Sequence, residues 1–134
     1  MEETEGPMKA FSGKLYFFVF AGILTLGIGG AAFADKTSVS IDAPDTAKKG
    51  SVIVITVKVI HSGNNFMHYT DWVSIRVNGA EVKRWKFGSG SRPENETFTR
   101  QVEYKVEGPV SIEAEGNCNI HGSAGKAVKT VLVK

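Results

Sequence analysis

The chain is short of the residues that build redox and metal chemistry. Its 134 residues hold one cysteine, Cys118, and three histidines, His61, His68 and His121. A lone cysteine excludes an intramolecular disulfide and leaves an inert thiol, an intermolecular link or a metal ligand. Runs of Lys or Arg and aromatic-basic interleaving are also missing, and the net charge is only +2, so nucleic-acid binding has no support. No helical hydrophobic period survives a reading past residue 35. Disorder is not the default either, because 42% apolar and 22% charged residues are ordinary globular values.

What is present begins with "LYFFVFAGILTLGIGGAAFA", residues 15–34, a stretch without charge that follows Lys9 and Lys14. A basic start, an apolar middle and the small-x-small ending Ala32-Phe33-Ala34 form the pattern of an export signal. The expectation is removal after Ala34, with Met8 an alternative start. A run of ~20 uncharged residues is also just enough to span a bilayer, so a retained anchor is the alternative. Residues 1–34 are thus assigned to export and 35–134 to one working domain outside the cytoplasm, expected to be periplasmic. Membrane contact follows only if the segment is kept. The domain itself carries 14 basic against 11 acidic residues, or +3.

Short β-branched runs fill that domain. "TSVSID" (37–42), "SVIVITVKVI" (51–60), "DWVSIRV" (71–77) and "AEVKRWKF" (80–87) read as strands, the last two joined by the hairpin signal Asn78-Gly79. "TFTRQVEYKV" (97–106), "PVSIEAE" (109–115) and "KAVKTVLVK" (126–134) complete the set, and "APDTAKKG" reads as a loop. Seven strands with turn signals between them predict an all-β fold, a seven-stranded immunoglobulin-like antiparallel β-sandwich. In that topology the second-to-third and sixth-to-seventh connections share one end. They carry His61 and His68, and Cys118 and His121, respectively. The start of the first strand, near Thr37, should face the same end. Imidazole and thiolate are ligands that iron, copper and zinc all accept. Trp72 and Trp85 read as covers of the core, with Trp72 near enough to His68 to shield a site as well.

The two loops also resemble a known family. "HYTDWVSIRVNG" (68–79) looks like the His-Tyr-Ile-Glu-Trp-Ile stretch of superoxide reductases, the desulfoferrodoxin and neelaredoxin family. "CNIHG" (118–122) matches its Cys-Asn-x-His-Gly, and "IDAPDTAKKG" (41–50) resembles the segment leading to the histidine loop. The resemblance implies one iron per chain, Fe(2+)/Fe(3+), with Cys118 axial and His61, His68 and His121 in the plane. It implies one-electron reduction of superoxide to hydrogen peroxide with electrons from an external donor, and Lys36 as the residue that attracts the anion. A homo-oligomer is left open. Two departures stand out. The family's Glu-Lys-His falls on Asp35-Lys36-Thr37, so its fourth histidine is Thr37, and the interval from His61 to His68 is one residue longer than usual.

Two other readings compete. A cupredoxin-like copper electron carrier also uses Cys-x-x-His in a last loop, but its axial Met falls on Lys126, with Met67 elsewhere. A metal-binding module without turnover would follow from Thr37 alone.

Overall fold

Alternation of apolar and polar residues decides which side of each strand turns inward. The computed structural model describes residues 36–134. It is all-β, with eight strands and no helix among the described residues: β1 (Ser38–Asp42), β2 (Thr46–Ala47), β3 (Val52–Ile60), β4 (Thr70–Val77), β5 (Ala80–Lys86), β6 (Thr97–Lys105), β7 (Val110–Cys118) and β8 (Ala127–Val133). The export assignment of residues 1–34 lies outside the described residues.

β3 shows the logic most clearly. Ile53, Ile55, Val57 and Val59 are buried, while Val52 and Val54, alternating with them, face solvent. Val73, Ile75 and Val77 of β4 and Val110, Ile112 and Ala114 of β7 do the same from the opposite side. Full burial of each Val or Ile contributes roughly 1.5–3 kcal/mol, so this double layer is what holds the domain together. β1-β3-β6 form one sheet and β2-β8-β7-β4-β5 the other. Trp85 packs against the core as expected. Trp72 instead alternates outward on β4 and lies half-buried beneath the Arg84 guanidinium, 4.3 Å from the ring centre. The β4–β5 turn is the expected two-residue hairpin, with φ of 50° at Asn78 and 84° at Gly79, both in the left-handed region that such a turn requires.

Two features differ from the sequence expectation. The seven-stranded antiparallel sandwich gains an eighth strand, because Thr46–Ala47 pairs parallel with β8. The expected loop there is captured by the open edge of β8: the Leu132 amide donates to Asp45 O (2.9 Å) and the Lys134 amide to Ala47 O (3.0 Å). Lys129 Nζ donates to Asp45 Oδ1 at 2.8 Å beside them. β7 also runs three residues further than 115, so Cys118 ends a strand rather than sitting in a loop. Gly116 and Asn117 are poor strand formers, but tertiary contacts override this. Gly116 packs against Thr37, and Asn117 Nδ2 donates to Asp71 Oδ1 on β4 at 2.8 Å.

Three segments meet at one end of the sandwich. Residues 61–69 follow β3, residues 119–126 follow β7, and Thr37 precedes β1. The Thr37 amide donates to Gly122 O (3.3 Å) and the Ala124 amide to Thr37 O (2.9 Å). The Asn119 amide donates to Tyr69 O at 3.0 Å.

Candidate metal centre

The meeting of these segments brings three imidazoles and one thiol together. His61 is the first residue after β3, and its amide donates to Glu96 O at 2.8 Å. Its side chain is fully buried, whereas His68 is half-buried and His121 is exposed. Cys118, at the end of β7, is 1% exposed. Reciprocal backbone hydrogen bonds between Cys118 and Gly122 (2.9 and 3.0 Å) close a three-residue turn. Gly122 takes φ of 81° to make it, a conformation that glycine accepts without strain. The turn points His121 back over Cys118, and the His121 amide donates to Sγ at 3.4 Å.

The nitrogen distances are informative. His68 Nε2 lies 3.2 Å from His61 Nε2 and 3.0 Å from His121 Nδ1. Its ring stands edge to face against both, at 81° and 85°. An imidazole nitrogen has one in-plane position, filled by a proton or a lone pair, so it cannot make full hydrogen bonds to two other nitrogens. A shared cation satisfies all three lone pairs. Two nitrogens each ~2.1 Å from one ion and at right angles would be ~3.0 Å apart, which is the separation found. Donor atoms of His61, His68 and Cys118 all lie within 4.8 Å of one another. Cys118 Sγ is 3.9 Å from His121 Nδ1, a looser contact than the ~3.1 Å of right-angle ligation. The donor set of three neutral nitrogens and one sulfur fits a first-row transition metal.

Thr37 adds no donor. Its side chain is completely buried, and its Oγ1 lies 3.0 Å from Thr70 Oγ1. Lys36 precedes it at the same end of the sandwich. Lys126, the residue in the position of a copper carrier's axial Met, lines a recess of about 150 Å³ with Ser74, Arg76, Arg84, Glu113 and Glu115.

Two asparagines hold the loops: Asn119, matched only as a letter of the Cys-Asn-x-His-Gly motif, and Asn64, which sequence reading passed over. Asn119 Oδ1 accepts the Tyr69 amide (2.9 Å), and its Nδ2 donates to Met67 O (3.0 Å). Asn64 reaches His61, Thr70 and Asn95. The only sequence signal of Asn64 was proximity to ligand candidates, because asparagine in a loop is ordinarily read as a turn residue.

A β-sandwich that gathers imidazoles and a thiol between two loops at one end defines a class of metal-site domain. Residues 30–124 match the family model described as Desulfoferrodoxin, and the chain belongs to that family. The resemblance seen in the two loops is borne out. No curated protein sequence matches the chain significantly. Among solved structures, the superoxide reductase (neelaredoxin) of Ignicoccus hospitalis is 21% identical, with a TM-score of 0.62 over 74% of this chain and 83% of that one. A variant of the same protein aligns at a TM-score of 0.64, again 21% identical, over 78% and 86% of the two chains. The CARDB domain of a Pyrococcus furiosus protein, solved in complex with di-metal ions, is 18% identical, with a TM-score of 0.55 over 76% of this chain and 98% of that one. At these identities the structural likeness is one of fold.

Proposed function

We propose that this domain is an exported, mononuclear non-haem iron protein that reduces superoxide to hydrogen peroxide. His61, His68, His121 and Cys118 hold the metal. The observation that carries the reading is the placing of His68 Nε2 within 3.2 Å of two other imidazole nitrogens, beside a buried thiol, in a chain of the desulfoferrodoxin family. Bound iron supplies the single electron that, with two protons, converts superoxide to hydrogen peroxide, and an external protein or small-molecule donor returns that electron.

The chain's own residues supply the remainder. The His121 amide donates to Cys118 Sγ and so holds the sulfur in place beneath the imidazoles. Cys118 is shut away from solvent by β7 and its turn, which protects the sulfur from oxidation. Lys36 and the +3 balance of residues 35–134 favour approach of a small anion. Export places the domain in the periplasm, released after Ala34.

The test is to express the full chain in iron-supplemented cells and measure metal per chain with the visible spectrum after oxidation. One iron per chain, with a thiolate-to-iron band absent in Cys118→Ser, is expected. Copper, zinc or no metal would overturn the iron reading, and a strong blue colour with copper would favour the electron carrier. A second reading, a metal-binding module without turnover, draws on the Thr37–Thr70 hydroxyl pair, which leaves three imidazoles where the family resemblance implies four. Stoichiometric iron without consumption of superoxide would favour it.

A further inference from the structure

The interval from His61 to His68, one residue longer than the family resemblance implies, contains Asn64, and the carboxamide of Asn64 makes three hydrogen bonds, two at its oxygen and one at its nitrogen. Its Oδ1 lies 2.6 Å from His61 Nδ1 and 3.0 Å from the Thr70 amide nitrogen. Its Nδ2 donates to Asn95 O at 3.1 Å. These contacts determine a proton's position. The Thr70 amide can only donate, so the atom facing it is the carboxamide oxygen, and an oxygen there can only accept. His61 Nδ1 faces the same oxygen and therefore carries the proton. In the neutral ring the other nitrogen, Nε2, is then a bare lone pair, and it is the atom 3.2 Å from His68 Nε2.

We propose that Asn64 is the positioning residue of the site, fixing His61 in the Nδ1–H form so that its buried Nε2 lone pair is aimed at the metal position before any metal arrives. His61 becomes the fixed ligand around which the more exposed His68 and His121 close. Thr70 joins the arrangement from the other side, since its backbone pairs with Cys118. One carboxamide oxygen thereby links the histidine loop to the strand opposite the sulfur ligand. Outer partners of this kind orient a ligand ring and raise its basicity. The affinity part of the proposal rests on the metal reading above, and the tautomer part does not.

The experiment uses the full chain, wild type, Asn64→Leu and Asn64→Asp. In metal-free wild-type protein carrying ¹⁵N-histidine, long-range ¹H–¹⁵N spectra at alkaline pH should show His61 as the Nδ1–H tautomer. In Asn64→Leu the Nε2–H form should appear. Cobalt(II) affinity, read from its thiolate charge-transfer band, should fall ~10–100-fold in Asn64→Leu. Asn64→Asp, which keeps the acceptor, should stay within ~3-fold of wild type or bind more tightly. An Nε2–H His61 in the wild type overturns the proposal even if Asn64→Leu does not fold. A folded Asn64→Leu with wild-type cobalt affinity overturns the positioning role. If wild type binds no cobalt, the metal reading fails, while the tautomer spectrum still decides how Asn64 acts on His61.

Discussion

Thr37 Oγ1 and Thr70 Oγ1 lie 3.0 Å apart, both side chains completely buried, across the gap between the two sheets. Each hydroxyl is the other's partner in a place that water does not reach. Thr37→Val should therefore strand the Thr70 hydroxyl and lower unfolding free energy by about 1–3 kcal/mol, while Thr37→Ser should cost less. Denaturant unfolding of the three proteins at one pH measures it. Thr37→His, the substitution that would restore a fourth imidazole, should destabilise the fold by overpacking and add no ligand to the metal spectrum.

Gly116 explains why that position is so tight. A methyl group there would come 2.6 Å from Thr37 Cγ2 and 3.2 Å from Val39 Cγ1, so β1 would have to move. Gly116→Ala is expected to cost about 1–3 kcal/mol. Because Thr37→Ser removes Cγ2, the double variant should be more stable than the sum of the single losses implies. An additive double-mutant cycle would refute the contact.

Acid should separate one surface pair from the rest. Arg100 holds Glu94 by a two-pronged hydrogen bond of 2.8 and 2.9 Å, and this, with a backbone hydrogen bond, lowers the Glu94 pKa from 4.5 to about 2. Folding therefore favours the ionised carboxyl. Its contribution is complete above pH 4.5 and is lost as pH falls through about 2. The Glu94 side chain is 54% exposed, so Glu94→Gln should cost only ~0.2–1 kcal/mol at neutral pH. The gap to wild type should close between pH 4.5 and 2 in urea titrations. Arg100→Ala should cost more at every pH, because the guanidinium also lies over Phe87 and Phe98, at 5.2 and 4.9 Å from the ring centres.

Asn119 ties the two ligand loops at Tyr69 and Met67. Asn119→Leu should lower stability by about 0.5–1.5 kcal/mol, since it removes the hydrogen bonds to the Tyr69 amide and the Met67 carbonyl. Hydrogen exchange at the Tyr69 amide should accelerate well beyond that of the β3 core. Equal acceleration in both would mean global destabilisation instead.

A bound metal should stabilise the folded chain by mass action. At a free concentration 100 times the dissociation constant the gain is about 2.7 kcal/mol. The melting temperature should rise with added metal and fall on chelation, and in Cys118→Ser this dependence should weaken. A melting temperature indifferent to metal would contradict the site.

Much of this architecture was legible because β3 and β4 alternate Val and Ile so regularly, and because Asn78-Gly79 permits few turns other than the one it makes. β2 was not, since two residues beside Pro44 carry no period and owe their strand geometry to the edge of β8. The end of β7 was hidden for a related reason: glycine and asparagine argue against a strand, and only Thr37 and Asp71 reveal why one continues there. At the site, residue chemistry identified the ligand candidates. The role of Asn64, and that of Asn119 beyond its place in the motif, went unseen because they depend on partners up to 52 residues away, which local sequence does not show.

His68 and His121 meet across 53 positions of chain. The second pair of donors cannot join the first until β4 and β7 have aligned, so the cluster is completed by long-range strand pairing and not by either loop alone. A chain translocated unfolded would reach that point only after leaving the cytoplasm. The metals free in that compartment, where copper outcompetes iron for nitrogen and sulfur donors at equilibrium, would then decide what fills it. On the proposed export, the place of assembly, as much as ligand identity, would determine which ion fills the site.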